Sequence, residues 1–109
     1  MNLTPTERKN LNLVRAANRH MNYFRYWKSR DESEAHERHE QKKYELYREI
    51  IKCGHNVLVE PIFVGGGRAD IFDISNGVIM EIVVSESKES IEEKRKKYPS
   101  GVEIVEVRA

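Results

Sequence analysis

A chain of 109 residues, 39% hydrophobic and 34% charged, supports one hydrophobic core and is too short for two. Its single cysteine, Cys53, excludes an internal disulfide and a cysteine zinc site, and is expected to be a small buried apolar residue. The net charge of +1 conceals a division, because residues 1–30 hold seven Lys/Arg against Glu7 alone, so a basic arm of +6 precedes a body of −5.

Thr4-Pro5-Thr6-Glu7 carries three helix-start signals: a capping threonine, proline at the first helical position, and Glu7 closing a capping box. Val14, Ala17, Met21 and Phe24 recur at helical spacing, which predicts a helix to about Lys28. The end of that stretch, Tyr23-Phe24-Arg25-Tyr26-Trp27-Lys28, interleaves rings with cations. Rings stack on exposed bases and Arg or Lys neutralises phosphate, so Arg15, Arg19, Tyr23, Arg25, Trp27 and Lys28 are candidate nucleic-acid contacts, with Arg68 further along. The alternative makes the rings core and the cations an ordinary solvated face. A basic arm on an acidic body suits an anionic partner that meets the arm first.

A second helix is predicted from Asp31 or Ser33 to about Cys53, with Gly54 ending it. Leu46, Tyr47, Ile50 and Ile51 define its apolar face, and at 100° per residue Lys43, Glu40 and His36 fall near the same line, with His39 at its margin. Such a helix packs through its C-terminal half and lines a site with its polar half. His36 and His39 stand three apart, but no Cys or further His has the spacing to complete a zinc site.

Residues 56–64 read as a strand, with Pro61 marking a bulge or an unpaired edge. Gly65-Gly66-Gly67 is a flexible turn; without a Lys-Ser/Thr ending or a following helix it is not a nucleotide loop. Two short strands follow, RADIFDI and VIMEIVV, joined by a turn at Ser75-Asn76-Gly77. Each carries an acid in apolar surroundings, Asp70 and Glu81. Two carboxylates on neighbouring strands repel unless a divalent cation lies between them, or unless both point outward from a half-solvated sheet. Ser85-Glu86-Ser87 starts a charged helix to Tyr98, in which Lys94-Arg95-Lys96-Lys97 balances Glu89, Glu92 and Glu93 or, alternatively, contacts phosphates. Pro99-Ser100-Gly101 breaks it, and residues 102–107 alternate as a last strand.

Over residues 33–107 the order helix, strand, strand, strand, helix, strand, with Asp70 on the second strand and Glu81 inside the third, resembles the PD-(D/E)XK nuclease superfamily. Within it the likeness is to small archaeal, viral or plasmid endonucleases and Holliday-junction resolvases. The resemblance implies an α/β (α+β) fold: a restriction-endonuclease-like αβββαβ core with a mixed four-stranded sheet flanked by helices, preceded here by an extra N-terminal helix. It implies a metal-dependent DNA endonuclease, dimeric and structure-selective, with Asp70, Glu81 and the backbone carbonyl of Ile82 holding Mg²⁺ or Mn²⁺. Glu40 is the expected additional acid from the helix, with His36 second.

The family's motif lysine falls at Val83, which cannot position a nucleophile. Either Lys94 or Lys43 supplies that cation, Lys94-x-x-x-Tyr98 resembling a Gln-x-x-x-Tyr element of one nuclease branch, or the domain binds DNA without cutting it. A protein-interaction domain built on the aromatic-basic helix is the third reading. Ser85 and Ser87 offer no Ser-His-Asp arrangement. No apolar run has the length of a membrane span and MNLTPTERKN lacks a signal-peptide core, so the expected location is the cytoplasm, or a host's cytoplasm for a viral protein.

Overall fold

The computed structural model describes residues 3–19, 34–84 and 86–109. Its elements are α1 (Pro5–Leu11), a 3₁₀ turn (Ala16–Asn18), α2 (Glu34–Lys52), β1 (Val57–Val59), β2 (Ile71–Asp73), β3 (Val78–Val83), α3 (Lys88–Arg95) and β4 (Glu103–Arg108). The strands form one mixed sheet in the order β1-β2-β3-β4. The first two pairings are antiparallel, and β3 with β4 is parallel, bridged by α3 as a parallel pair requires. The fold is thus α+β with a four-stranded mixed sheet, in the expected element order.

One lateral row of the sheet is apolar from edge to edge: Leu58 faces Phe72, Phe72 faces Ile79, and Ile79 faces Ile104. Val14, Phe63 and Tyr98 cover that row, with Leu11 and Leu13 packed beside them. Phe63 meets Phe72 edge-on at 5.2 Å and Tyr98 at 5.7 Å between ring centroids. The other face buries Val57 and Ile71 against Ile50 of α2, with Leu46, Tyr47 and Met80 packed beside them.

The capping box at Thr4 and Glu7 forms as expected, but α1 stops at Leu11 instead of continuing toward Lys28. Pairing with a distant segment takes over: Val64 N–H donates to Leu13 O, Arg15 N–H donates to Ile62 O, and Val14 bridges Phe63 and is fully buried. Tertiary partners outweigh the helix propensity of Arg15 and Ala16, which is high. The aromatic-basic contacts expected at Tyr23, Arg25, Trp27 and Lys28 lie outside the described residues.

Three smaller expectations are corrected. Cys53 is exposed, because it falls beyond the last turn of α2. Ile51 is 48% exposed, since a 100° step from buried Ile50 carries it off the packed face. The predicted strand over 56–64 is regular only from Val57 to Val59, because Glu60 takes a left-handed φ of +52° ahead of Pro61; further on, Ile62 and Phe63 make isolated bridges. Gly54 closes α2 at φ +81°, as a C-terminal glycine does.

The β2–β3 turn spans Ile74 to Gly77 and is organised by buried Asp73. Its Oδ1 accepts from the amides of Ser75 (3.0 Å) and Asn76 (3.2 Å), and its Oδ2 lies 3.0 Å from His55 Nδ1. Glu7 of α1 accepts from Ser75 Oγ at 2.7 Å and from Asn56 Nδ2 at 2.6 Å, tying the N-terminal helix to this turn.

Candidate functional site

The register that builds the apolar row also builds an acidic one, two residues further along every strand. The β1–β2 ladder continues past Val59, with Glu60 N–H donating to Asp70 O at 2.9 Å. In the β2–β3 register Ile71 faces Met80, which sets Asp70 opposite Glu81, and Glu81 in turn faces Glu106. Glu60, Asp70, Glu81 and Glu106 therefore stand in line across the whole sheet. Each meets a compensating group from α2, from α3 or from the segment just after α3. Lys43 reaches Glu60 at 3.2 Å, His39 Nε2 lies 3.1 Å from Asp70 Oδ1, Tyr98 donates to Glu81, and Arg95 meets Glu106 at 2.8 Å.

Asp70 and Glu81 interact directly, and their proton affinities diverge. Burial of Glu81, with Asp70's charge beside it, pushes its carboxyl up to about 7. Burial tends to raise Asp70 as well, but the hydrogen bond from His39, its charge, and the Ile82 amide at 2.8 Å from Asp70 Oδ2 hold it below the usual range. The hydrogen bond to Asp70 raises His39 above its ordinary value, against the opposing effect of burial. Two neighbouring acids thus divide the work, one ionised and one holding a proton near neutrality.

Tyr98 lies against Glu81. Its hydroxyl lies 3.0 Å from the Arg68 carbonyl and also contacts Glu81 Oε1, yet it has one proton to give. The hydroxyl therefore serves either the Arg68 carbonyl or Glu81 as its acceptor at any one time. Burial and that carboxylate both raise the phenol's own pKa.

The remaining expected residues divide between near and far. Lys43, completely buried, bonds Glu40 at 2.8 Å as well as Glu60, and Glu40 Oε1 lies 3.6 Å from His39 Nδ1. Glu40 thus belongs to the site through Lys43 and His39. His36 is half-buried one turn earlier on α2. Lys94 is held by Glu86 at 2.8 Å, and its charge still favours the ionised forms of Glu81 and Asp70. Val83, at the motif-lysine position, is buried apolar core. Ile82 meets the site through its amide, which bonds Asp70. Among the nucleic-acid candidates, Arg15 and Arg68 are exposed, and Arg19 folds back to donate to Val14 O at 3.0 Å.

Sequence reasoning missed Glu60 and placed His39 only at a margin. Extending the pairing one strand outward from the Ser75-Asn76-Gly77 turn would have found Glu60. His39 had no such signal, because its reach depends on how α2 crosses the sheet. Among the described residues no set of three or more His, Cys, Asp or Glu is grouped to hold a metal ion. None of the helices described is long and apolar enough to cross a membrane. Compared with protein-family models, with curated proteins and with solved structures, the chain matches none.

Proposed function

We propose that the chain is a metal-dependent endonuclease of the restriction-endonuclease-like kind, acting on DNA phosphodiester bonds. One observation carries the reading: Asp70 and Glu81 are cross-strand partners in a largely buried place, where burial and then the neighbouring charge both disfavour ionising Glu81 beside Asp70. A divalent cation relieves the same repulsion. Two carboxylates suit Mg²⁺ or Mn²⁺, which commonly sits on one or two protein acids and fills its remaining positions with water and substrate phosphate. Asp70 and Glu81 would hold the ion, and it would supply charge neutralisation at the phosphodiester and a more acidic water.

The chain's own residues have distinct parts in this proposal. His39 and the Ile82 amide fix the orientation of Asp70, and Tyr98 fixes that of Glu81. Lys43 takes the place of the missing motif lysine as the cation nearest the row from α2, with Lys94 adding positive potential from α3. Incubation of the protein with single-stranded, branched and duplex DNA and Mn²⁺ should give nicked products, and Asp70→Ala or Glu81→Ala should lower the rate at least about a hundredfold. Undiminished cleavage by both variants rejects the proposal.

One observation favours a second reading, a nuclease-like module that binds nucleic acid without cutting it. Glu60, Asp70 and Glu106 already meet Lys43, His39 and Arg95, and the raised Glu81 carboxyl can hold a proton instead of a charge, so the row needs no ion. That reading predicts salt-sensitive DNA binding with no products under any metal.

A further inference from the structure

The glycine turn and the end of α3 form a groove that the acidic site does not use. Gly67 makes it possible: a Cβ there would lie 2.7 Å from Lys97 O and 2.9 Å from Tyr98 Cδ1, so only glycine lets the turn lie against the segment after α3. The groove, of about 530 Å³, has apolar walls from Leu13, Phe63, Val64 and Pro99, with Lys96 and Lys97 on its rim. Val64 is 65% exposed although it sits between two anchored backbone segments, so its side chain is presented to whatever enters. Arg15 adds a further cation beside the glycine turn, its guanidinium 3.9 Å from the Cβ position of Gly66.

The charge pattern identifies the occupant. Lys94, Arg95 and Lys96 each pair with a glutamate, whereas among the described residues Arg15 and Lys97 form no ion pair. An apolar trough between unspent cations fits a ligand with flat apolar faces strung on an anionic backbone. Duplex DNA offers the phosphates but keeps its base faces stacked, and an acidic peptide offers charge without the faces. We infer that this groove holds an unpaired nucleic-acid strand, with a base against Val64 and Pro99 and phosphates toward Lys97 and Arg15. Tyr98 lines the groove and its hydroxyl contacts Glu81, so a single side chain separates a strand seated there from the acidic pair. The inference deepens the nuclease reading by naming the form of substrate that the site meets.

The test is fluorescence anisotropy of a labelled oligothymidylate with the full chain in EDTA, where cleavage cannot intervene. Intact oligothymidylate should compete at least about tenfold better than an abasic strand of equal length or a blunt duplex. Val64→Asn should weaken the intact strand about tenfold and leave the abasic strand unchanged, while Lys97→Glu should weaken both. Equal competition by the abasic strand, or indifference to both substitutions, overturns the inference. Polyglutamate displacing the probe better than the unlabelled oligonucleotide also overturns it and assigns the groove to an acidic peptide. Strand binding sensitive to Val64→Asn with no cleavage anywhere sinks the nuclease reading alone. Cleavage lost in Asp70→Ala, with strand binding blind to both groove variants, sinks the groove alone.

Discussion

Ionising Glu81 places a second negative charge beside Asp70 at a position only 4% exposed. The folded carboxyl titrates near 7 and the unfolded one near 4.5, so between those values the unfolded chain binds fewer protons. The stability tied to protonated Glu81 is therefore complete below about 4.5 and is lost as pH rises through about 7, by on the order of 3 kcal/mol. Asp70 acts in the opposite sense, since its pKa is lowered: its contribution is present above the ordinary aspartate value and lost as pH falls below it. Glu81→Gln keeps the neutral shape, so in urea titrations it should match the wild-type protein near pH 5 and exceed it near pH 8 by about 2–3 kcal/mol. A constant difference across that range contradicts the assignment of the shift. At this scale the pair was legible from its apolar flanks and the turn between its strands. His39 was not, because a helix residue at the edge of a face acquires its partner from the docking angle.

Within α2, the inward face divides as its sequence implies, packed by Leu46, Tyr47 and Ile50 toward the C-terminus and polar toward the N-terminus. Lys43 is the hinge between these halves, completely buried and charged between Glu40 and Glu60. A buried cation is tolerable only with its partners in place, and removal of one member strands the others. Lys43→Met keeps the stem and leaves two carboxylates facing one another, so the urea midpoint should fall by the equivalent of about 3 kcal/mol. Removing both acids as well, in Lys43→Met/Glu40→Gln/Glu60→Gln, should restore most of it. Failure of the triple variant to recover locates the loss in packing rather than charge. Glu60 joins this cluster because the chain turns left-handed there, a choice that β-rich flanking residues conceal.

Across the whole molecule, one carboxylate joins the chain's beginning to its central hairpin. Glu7, 6% exposed, accepts from Thr4 N–H, Asn56 Nδ2 and Ser75 Oγ, and these bonds hold its pKa near 2. Asn10 adds a bond to Ile74 O at 2.8 Å. A lowered carboxylate contributes stability above its unfolded value near 4.5, lost as pH falls toward 2. Glu7→Ala should thus lower the thermal midpoint by several degrees at neutral pH, with the two proteins converging as pH falls from about 4.5 toward 2. A gap that persists at low pH would show that Glu7 acts through packing alone.

Local chemistry decided the elements: the Thr4–Glu7 capping box, the glycine after α2, the serine that caps α3, and the alternation of the strands all act between near neighbours. Strand order and register then aligned Asp70 with Glu81, because an antiparallel pair closed by a short turn has few ways to slip without exposing Phe72 and Ile79. Only the tertiary structure decided where α1 stops, that Glu60 and Glu106 complete the acidic row, and that the glycine turn closes a groove beside Tyr98. Those features depend on contacts between segments tens of residues apart, and no local preference is strong enough to announce them.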